Sequence, residues 1–267
     1  MQRVGLIAGN GSFPFVFAKQ ARELGNQVVV IGLKEETDPS LEKFVDKLYW
    51  ISLGEFGKLI RILKEENITR LVMAGQVKHV QIFKNIKLDL RAGALLFKLI
   101  NKKTDTILKA VADELKKEGI ELLSSATFLP HLLATKGLIS SRQPTKEESE
   151  DIKFGQSIAK QIAGLDIGQT VVVKDKAVVA VESVEGTDQC IRRGASLAGE
   201  GVVVVKVAKP NQDFRFDLPI IGLNTITTLS ESGSSVIAIE AGKTLMLDKE
   251  EIIRQANEKN ISIFGIE

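Results

Sequence analysis

Cysteine and histidine are scarce in this chain, and their scarcity excludes several kinds of site. Among 267 residues there are one cysteine and two histidines. A single cysteine, Cys190, forms no intrachain disulfide and supplies no cysteine-based zinc site. Neither His79 nor His131 has an acid or nucleophile near it that indicates a catalytic triad, so we expect surface or packing roles for both. These absences favour a reducing, cytosolic compartment.

Long apolar runs and a strong excess of one charge are also missing. No run approaches the roughly 20 apolar residues that a membrane span needs. The N-terminal residues MQRVGLIAGNG pass straight into an expected strand and glycine turn, which is not the pattern of a signal peptide. The formal net charge of +2 argues against nucleic acid as a partner, because such proteins usually carry a large basic excess. We therefore expect a cytoplasmic globular protein.

The first half of the chain alternates short apolar runs with amphipathic segments. Runs bounded by glycine or charge predict buried parallel strands at 3–8, 27–31 and 71–74, with a further short strand at 47–51. Helices are expected at about 15–23, 56–65 and 106–117. This alternation is typical of an α/β fold and predicts a Rossmann-like, doubly wound domain over residues 1–133.

The second half predicts another α/β domain, built on a mixed sheet that contains a hairpin. Residues 134–146 lie in a stretch with proline, glycine and charge, which predicts a linker, and residues 147–267 then form the C-terminal catalytic domain. Within that domain VVVKDKAVVAVE indicates a β-hairpin that turns at residues 174–176. The later segment SVIAIEAGKTLMLD suggests a second hairpin and hence an internal duplication.

A glycine turn, Gly9-Asn10-Gly11-Ser12, follows the first strand and opens the first helix. Glycines there allow close approach to a phosphate, which the helix N-terminus attracts. A mononucleotide or phosphate site is one interpretation, and a purely structural turn is the other. Pro14 stands where the dinucleotide fingerprint requires its third glycine, and no acid lies at the tip of the second strand. NAD binding is therefore disfavoured.

A basic and apolar segment spans residues 78–103. It carries seven lysines and arginines against one aspartate, a local charge of +6. Such a helix suits an anionic bilayer, acyl chains or a dimer surface, although a solvated face on a core helix is the simpler interpretation. Thr104 and Asp105 come directly after it. An N-cap role is the simplest reading of this pair, and a ligand contact is the alternative.

The segment KVAKPNQDFRFDLPIIG is the most informative part of the chain. If it is extended, Asp213, Arg215 and Asp217 point to one face and the phenylalanines to the other. A row of acid, cation and acid is costly to bury without partners and suits a metal ion and a phosphate. Lys206 and Lys209 add positive charge for phosphoryl oxygens. A solvated edge strand is the alternative interpretation.

A second acidic cluster, VESVEGTD, lies earlier in the same half. It places Glu182, Glu185 and Asp188 within seven residues, and carboxylate oxygens of this kind suit Mg²⁺. Both acidic segments leave apolar strands and are expected to meet at one sheet edge. We therefore predict Mg²⁺ ligands among Asp188, Glu185 and the acids of the later segment, Asp213 and Asp217. Capping and surface charge are the simpler explanation of the earlier cluster taken alone. Acids for a metal and cations for phosphates indicate phosphoryl transfer or phosphoanhydride hydrolysis.

Several motifs together resemble the LpxI family, the UDP-2,3-diacylglucosamine pyrophosphatases of lipid A biosynthesis. They are GLIAGNGSFP, TDTILKAVADELKKEGI, DIGQTVVVKDKAVVAVESVEGTDQCIRRGA, KVAKPNQDFRFDLPIIG and AIEAGKTLMLD, which cover essentially the whole chain in that family's order. The resemblance implies Mg²⁺-dependent hydrolysis of UDP-2,3-diacylglucosamine to UMP and 2,3-diacylglucosamine 1-phosphate, lipid X. It also implies that Asp217 in FDLPIIG is the essential aspartate, whereas the other proposed ligands rest on the residue argument alone.

Other functions stay open at this point. A non-catalytic nucleotide or lipid carrier would use the same pockets without hydrolysis, and a nicotinamide-dependent oxidoreductase is motivated only by the glycine turn. The resemblance agrees with a cytoplasmic enzyme that makes transient contact with the cytoplasmic face of the inner membrane. A homodimer is an alternative use of the basic, apolar segment.

Overall fold

The computed structural model describes residues 2–77, 87–97, 99 and 104–267. The chain divides into two compact units. The first comprises Met1–Leu129 together with Phe214–Phe216, and the second comprises Pro130–Asp213 and Asp217–Glu267. Each unit has its own sheet and its own apolar core.

A parallel five-stranded sheet forms the centre of the first unit, within the described residues. Its strands are β1 (Arg3–Ala8), β2 (Gln27–Leu33), β3 (Lys47–Ile51), β4 (Arg70–Ala74) and β5 (Glu121–Leu122). They run in the order β3-β2-β1-β4-β5, with every neighbouring pair parallel. The order reverses between β1 and β4, which is the switch point where open α/β sheets bind ligands beyond the carboxyl ends of their strands. The predicted α/β, Rossmann-like class is confirmed.

Helical periodicity explains how the helices of the first unit pack. They are α1 (Phe13–Glu23), α2 (Phe56–Glu65), α3 (Leu90–Phe97) and α4 (Thr104–Lys117). In α2 the buried residues Phe56, Leu59, Ile60 and Leu63 recur at the spacing that forms one helical stripe. That stripe belongs to the same apolar cluster as the strand residue Ile31.

The second unit contains a mixed six-stranded sheet, again within the described residues. The strands of the unit are β6 (Gly137–Leu138), β7 (Thr170–Lys174), β8 (Ala177–Val181), β9 (Val203–Lys206), β10 (Ile220–Ile221), β11 (Val236–Glu240), β12 (Leu245–Met246) and β13 (Ser262–Ile266). The main sheet has the order β6-β13-β11-β9-β7-β8, and β10 pairs separately with β12. The helices are α5 (Lys146–Gly164), α6 (Thr187–Ala198), α7 (Leu223–Glu231) and α8 (Lys249–Glu258).

Strand β9 shows why this sheet is covered on both faces. Its valines alternate between two apolar clusters, because successive side chains in a strand point to opposite faces. Val204 lies in the cluster that includes residues of α6, α7 and α8. Val203 and Val205 lie in the cluster that includes residues of α5. The near-continuous apolar run is therefore that of a strand buried on both sides.

One predicted hairpin is confirmed and the other is wrong. Strands β7 and β8 pair antiparallel, and their turn places Asp175 and Lys176 at positive φ. In SVIAIEAGKTLMLD, by contrast, β11 pairs in parallel with β9 and β13, and β12 pairs with β10. The two apolar runs on either side of the turn therefore pair with different strands and not with each other, so the suggested duplication of hairpins is also wrong.

The predicted linker at 134–146 lies within the second unit. Strand β6 pairs antiparallel with β13, and the Ala134 amide donates to the Thr244 carbonyl oxygen at 2.9 Å. These backbone hydrogen bonds hold the segment against the sheet, although its composition is that of a connection. In the described part of the chain, none of the helices combines the length and apolar character required to cross a bilayer.

Candidate active site

Asp217 accepts hydrogen bonds from two side-chain amides of the second unit. Gln169 Nε2 donates to Asp217 Oδ2 at 3.0 Å, and Gln212 Nε2 donates to the same oxygen at 2.7 Å. Gln212 Oε1 in turn accepts the Lys209 backbone amide at 2.7 Å, which defines which end of the Gln212 amide faces the carboxylate. Asp217 is therefore held in a defined orientation by neutral donors.

The segment that carries Asp217 is a turn, so the extended conformation considered from the sequence is wrong, and so is the alternative of a solvated edge strand. The Asp217 amide donates to the Asp213 carbonyl oxygen at 3.2 Å, which closes a single i to i+4 turn. Residues 214–216 are the turn itself and group with the first unit, and Phe216 packs on that unit's core. Asp213 and Asp217 consequently do not share an extended face with Arg215. The backbone hydrogen bond between Asp217 and Asp213 lies within the segment itself, whereas an edge strand would form backbone hydrogen bonds with a neighbouring strand.

Lys206, at the end of β9, is the centre of a buried polar network. It is 7% exposed, and Glu182 is 8% exposed. Lys206 Nζ donates to Thr187 Oγ1 at 2.8 Å, and Thr187 Oγ1 donates to Glu182 Oε1 at 2.7 Å. Glu182 Oε2 accepts the Gln169 backbone amide at 3.2 Å. The network therefore continues to the residue whose side chain holds Asp217.

The charge of Lys206 acts on Glu182. Burial alone raises the pKa of the Glu182 carboxyl, but attraction to Lys206 and hydrogen bonds from Thr170, Thr187 and the Gln169 amide outweigh it, so the pKa lies below its ordinary value. Glu182 is thus a buried carboxylate that remains ionised because its partners compensate for burial.

Gly168 allows the two strand ends of this network to approach. A Cβ at Gly168 would lie 2.0 Å from the Glu182 carbonyl oxygen, a separation that backbone atoms cannot accommodate without moving. Only glycine fits this contact, and it brings Gln169 directly beside Glu182. Neither Gln169 nor Gln212 was among the site residues predicted from the sequence. The only sequence features that could have indicated them are their positions. Gln169 directly follows Gly168 before β7, and Gln212 lies within the segment KVAKPNQDFRFDLPIIG.

The other predicted cations have their own partners. Lys209 Nζ lies 2.5 Å from Asp166 Oδ1. The Arg215 guanidinium lies 4.9 Å from the ring centroid of Phe216, and the Arg215 carbonyl oxygen accepts a hydrogen bond from Ser125 Oγ at 3.2 Å, within the first unit.

The structure does not bring the four predicted metal ligands into one group. Among the described residues, no set of three or more histidine, cysteine, aspartate or glutamate side chains is arranged to hold a metal ion. Glu185 is paired with Arg193 at 2.6 Å, and its pKa is lowered by that hydrogen bond and by backbone donors. Asp188 lies in the first turn of α6 and accepts from Thr225 Oγ1 at 3.2 Å.

One feature of the residues around Asp217 fits a hard cation. Gln169 Oε1 is buried and has no hydrogen-bond partner among the residues that the structure describes, although the amide nitrogen of the same side chain contacts Asp217. Buried polar atoms are normally satisfied, and Mg²⁺ prefers carboxylate and amide oxygens. Proteins often hold Mg²⁺ with one or two carboxylates plus phosphate oxygens of the substrate. A site with few protein ligands, such as Asp217 and Gln169 Oε1, therefore fits this ion.

The glycine turn of the first unit is closed by backbone pairing. The Gly9 amide donates to Ala74 O, and the Asn10 amide donates to Gln76 O, each at 2.8 Å. A Cβ at Gly9 would lie 2.7 Å from the Gln76 carbonyl oxygen. The close approach that these glycines permit is thus made by the loop after β4, and the amides of Gly9 and Asn10 already have acceptors.

The remaining predicted residues of this unit lie near helix starts. Ser12 is the N-cap of α1, without a side-chain capping hydrogen bond in the described structure, and Gly11 has a φ of 95°. Thr104 is the first residue of α4 and is exposed; Asp105 follows it, but its side chain lies outside the described residues. Glu36 was not predicted as a site residue, but it is 7% exposed, and its Oε2 lies 3.5 Å from Asn10 Nδ2.

Much of the basic, apolar segment lies outside the described residues, including Lys78, Lys84, Lys98, Lys102 and Lys103. Within the described part, Arg91 pairs with Glu118 at 2.5 Å. Leu90 and Phe97 are 94% and 92% exposed, and they lie seven residues apart, so they share one face of α3.

Family models match both halves of the chain. The model described as the LpxI N-terminal domain matches residues 3–132, and the LpxI C-terminal domain matches residues 135–264. The chain is also similar to a Caulobacter vibrioides protein named "UDP-2,3-diacylglucosamine pyrophosphatase LpxI". The two are 33% identical over 279 residues, covering 100% of this chain and 98% of that protein.

Two solved structures to which the chain is similar show distant similarity. An ADP complex of N5-carboxyaminoimidazole ribonucleotide synthetase is 16% identical with a TM-score of 0.29, covering 64% of this chain and 32% of that one. Biotin carboxylase from Campylobacter jejuni is 11% identical with a TM-score of 0.30, covering 73% and 42%. This chain spans less than half of each of these proteins, and similarity at this level carries no functional argument.

Proposed function

Since this chain belongs to the LpxI family, we propose that it hydrolyses the diphosphate of UDP-2,3-diacylglucosamine. The products are UMP and 2,3-diacylglucosamine 1-phosphate, lipid X, in lipid A biosynthesis. The printed name of the full-length relative supports the substrate. The single structural observation that supports the reaction is Asp217, a carboxylate oriented by two amide donors beside Gln169 Oε1, a buried oxygen that has no partner in the described part of the chain.

Mg²⁺ is the proposed cofactor, and Asp217 and Gln169 Oε1 are the residues that would hold it. When bound, the ion neutralises charge that develops on the phosphoryl oxygens. Gln212 and the Gln169 amide nitrogen keep the Asp217 carboxylate in a fixed orientation, so that little reorganisation is needed during reaction. Glu185, Asp188 and Asp213 remain predictions as additional ligands.

Lys206 and Lys209 are the proposed sources of positive charge in the second unit. Lys206 is already oriented by Thr187, and its buried position strengthens its field in a low-dielectric site. Lys209 is more accessible, with 21% of its side chain exposed, and it would exchange Asp166 for a phosphate oxygen. Arg215 and the first-unit residues Gly9, Asn10, Gly11, Ser12, Thr104 and Asp105 remain candidate substrate contacts.

The decisive test compares two isosteric variants. Asp217→Asn removes the carboxylate charge, and we expect UMP release to fall by more than about 100-fold while the thermal midpoint changes little. Asp175→Asn is the matched control, because Asp175 is exposed in the β7–β8 turn and asparagine tolerates its positive φ. Near-normal turnover in Asp217→Asn would contradict the role of Asp217, and activity that survives EDTA would contradict Mg²⁺.

A phosphorus NMR experiment on the parent protein separates an enzyme from a carrier. Purified protein, substrate and Mg²⁺ are incubated and followed by phosphorus NMR. Appearance of the two phosphomonoester signals supports hydrolysis. A diphosphate that binds but stays intact after long incubation would replace the proposal with a nucleotide or lipid carrier.

We also propose transient contact between α3 and an anionic membrane surface. The exposed side chains of Leu90 and Phe97 on one face of α3 support it, together with the local basic charge of residues 78–103. Replacing both by glutamate should weaken sedimentation with anionic vesicles. Unchanged sedimentation contradicts the proposal, and a loss of dimer in solution would assign this face to a homodimer instead.

A further inference from the structure

The segment AIEAGKTLM has no role in the site described above, yet Glu240 within it is almost fully buried. Glu240 is the last residue of β11 and is 1% exposed. Its carboxylate accepts the Ala208 backbone amide at 2.9 Å, Lys160 Nζ at 2.6 Å and Lys243 Nζ at 2.5 Å. A buried carboxylate with three donors is satisfied and remains ionised.

The pair Lys160–Glu240 holds both backbone polar groups of Ala208. While Glu240 accepts the Ala208 amide, Lys160 Nζ donates to the Ala208 carbonyl oxygen at 3.0 Å. Ala208 lies just after the end of β9, where the sheet ladder no longer fixes the backbone. The pair thus replaces the ladder at this point. The pKa of Glu240 lies below its ordinary value because the two lysines and the Ala208 amide outweigh the effect of burial.

A short series of hydrogen bonds connects this anchor to the reactive carboxylate. The next residue, Lys209, donates its backbone amide to Gln212 Oε1. Gln212 Nε2 then donates to Asp217 Oδ2 at 2.7 Å and to the Asp217 carbonyl oxygen at 2.9 Å. The position of the Ala208–Lys209 backbone therefore determines where the Gln212 amide directs its nitrogen.

The same segment also holds the chain beyond Asp217. Gly242, with a φ of 69°, turns the backbone after Glu240. The Leu245 amide then donates to the Pro219 carbonyl oxygen at 2.8 Å, and β12 pairs with β10. Residues before and after the Asp217 turn are thus anchored by two parts of one nine-residue segment.

We propose that Glu240, together with Lys160, is a positioning residue that sets the orientation of Asp217 through Ala208, Lys209 and Gln212. This inference rests on the proposed function in one respect, since Asp217 is the group whose orientation matters for hydrolysis. In this proposal Glu240 binds neither substrate nor metal. Its effect is transmitted through backbone geometry and one amide.

Two variants and one matched control test the proposal. Glu240→Gln removes the charge that holds Lys160, and Lys160→Met removes the donor to Ala208 while retaining an apolar stem. Glu148→Gln is the control, because Glu148 forms a partly buried pair with Arg142 at 2.7 Å, with 13% of the Glu148 side chain exposed. Arg142 also contacts the Ser235 carbonyl oxygen, so this pair lies at the opposite end of β11 from Glu240.

We expect Glu240→Gln and Lys160→Met each to lower kcat by about 10- to 100-fold, with KM within about threefold of the parent value. Glu148→Gln should keep kcat within about twofold of the parent value, even if its thermal midpoint falls by as much as those of Glu240→Gln and Lys160→Met. Adding Glu240→Gln to Gln212→Ala should lower kcat little further, since both substitutions act through the same hydrogen-bond series that ends at Asp217. Fully multiplicative losses in that double variant, or equal losses in the Glu148 control, would overturn the proposal.

Hydrogen exchange makes the result independent of activity. The Lys209 amide should exchange at least about tenfold faster in folded Lys160→Met and Glu240→Gln than in the parent protein, and at the parent rate in Glu148→Gln. Unchanged Lys209 exchange in both variants overturns the positioning role. If the parent protein releases no UMP, the proposed function fails, while exchange still decides whether Glu240 orders this segment. Lys160→Met provides the result if Glu240→Gln does not fold.

Discussion

Gln212 holds the carboxylate and the backbone of Asp217 with a single amide nitrogen. Its Nε2 lies 2.7 Å from Asp217 Oδ2 and 2.9 Å from the Asp217 carbonyl oxygen. Because Gln212 Oε1 is occupied by the Lys209 amide, the side chain cannot reverse its orientation without losing all three contacts. A neutral donor in this place orients a carboxylate without changing the charge of the site.

We predict that Gln212→Glu lowers kcat by about 10- to 100-fold. The substitution keeps the acceptor for Lys209 but replaces the donor to Asp217 by an oxygen and brings a second negative charge to the carboxylate. Steady-state release of UMP measures the effect. Gln161→Glu, on the exposed surface of α5, makes the same chemical change away from Asp217 and should retain parent kcat. A Gln212→Glu enzyme with parent kcat would show that this amide is dispensable.

Lys206→Met should destabilise the second unit in a pH-dependent manner. Removing Lys206 leaves the buried Glu182 carboxylate without its cationic neighbour, which costs about 3 kcal/mol of unfolding free energy near neutral pH. The native pKa of Glu182 lies below its ordinary value, so its stabilising contribution is present above that ordinary value and is lost as the pH falls through the native pKa.

In Lys206→Met the native pKa of Glu182 should rise, so the deficit relative to the parent is largest at neutral pH and shrinks in acid. Urea unfolding monitored by circular dichroism between pH 4 and pH 8 measures this trend. Lys153→Met, at an exposed position of α5, should show no such dependence. A deficit that is independent of pH would contradict the pairing of Lys206 with Glu182.

Gly168→Ala should impair both stability and turnover. The added Cβ would lie 2.0 Å from the Glu182 carbonyl oxygen, so the backbone must move and carry Gln169 away from Asp217. We expect a loss of about 1–3 kcal/mol in unfolding free energy and a fall in kcat. Gly164→Ala is the control, because its Cβ would meet Pro210 at an ordinary 3.6 Å at the end of α5. A Gly168→Ala protein that matches this control in stability and kcat would contradict the close contact.

Gly9→Ala should destabilise the first unit by about 1–3 kcal/mol. Its Cβ would lie 2.7 Å from the Gln76 carbonyl oxygen and 2.9 Å from the Gly75 carbonyl carbon, both of them backbone atoms. Gly93→Ala in α3 should be neutral or slightly stabilising, since its Cβ meets open space in the described structure. Differential scanning calorimetry of both variants makes the comparison. Equal midpoints would show that the loop after β4 yields to the added methyl group.

The two hairpin-like segments illustrate what a local pattern can predict. The turn at Asp175 and Lys176 joins strands that pair with each other, so local turn chemistry was sufficient. The turn after Glu240 looks similar in sequence, but its second arm pairs with β10, which follows the Asp217 turn. Nothing in a local alternation of apolar residues states which distant strand will complete its hydrogen bonds.

The site residues divide in the same way. The sequence alone determined the α/β class and most strand and helix positions, because periodicity and glycine placement are local properties of the chain. The FDLPIIG motif, through its resemblance to the LpxI family, led to the proposal of Asp217. Tertiary structure decided that the segment before Asp217 is a turn and that Gln169 and Gln212 hold its carboxylate. It also decided that Glu240 holds Ala208. The Gln169–Asp217 and Glu240–Ala208 contacts join positions 48 and 32 residues apart, and hydrogen-bond partners at such separations are selected by the packing of the whole unit. Gln212 is only five residues from Asp217, but its side chain reaches that carboxylate because the intervening residues form a turn, which the local sequence did not indicate.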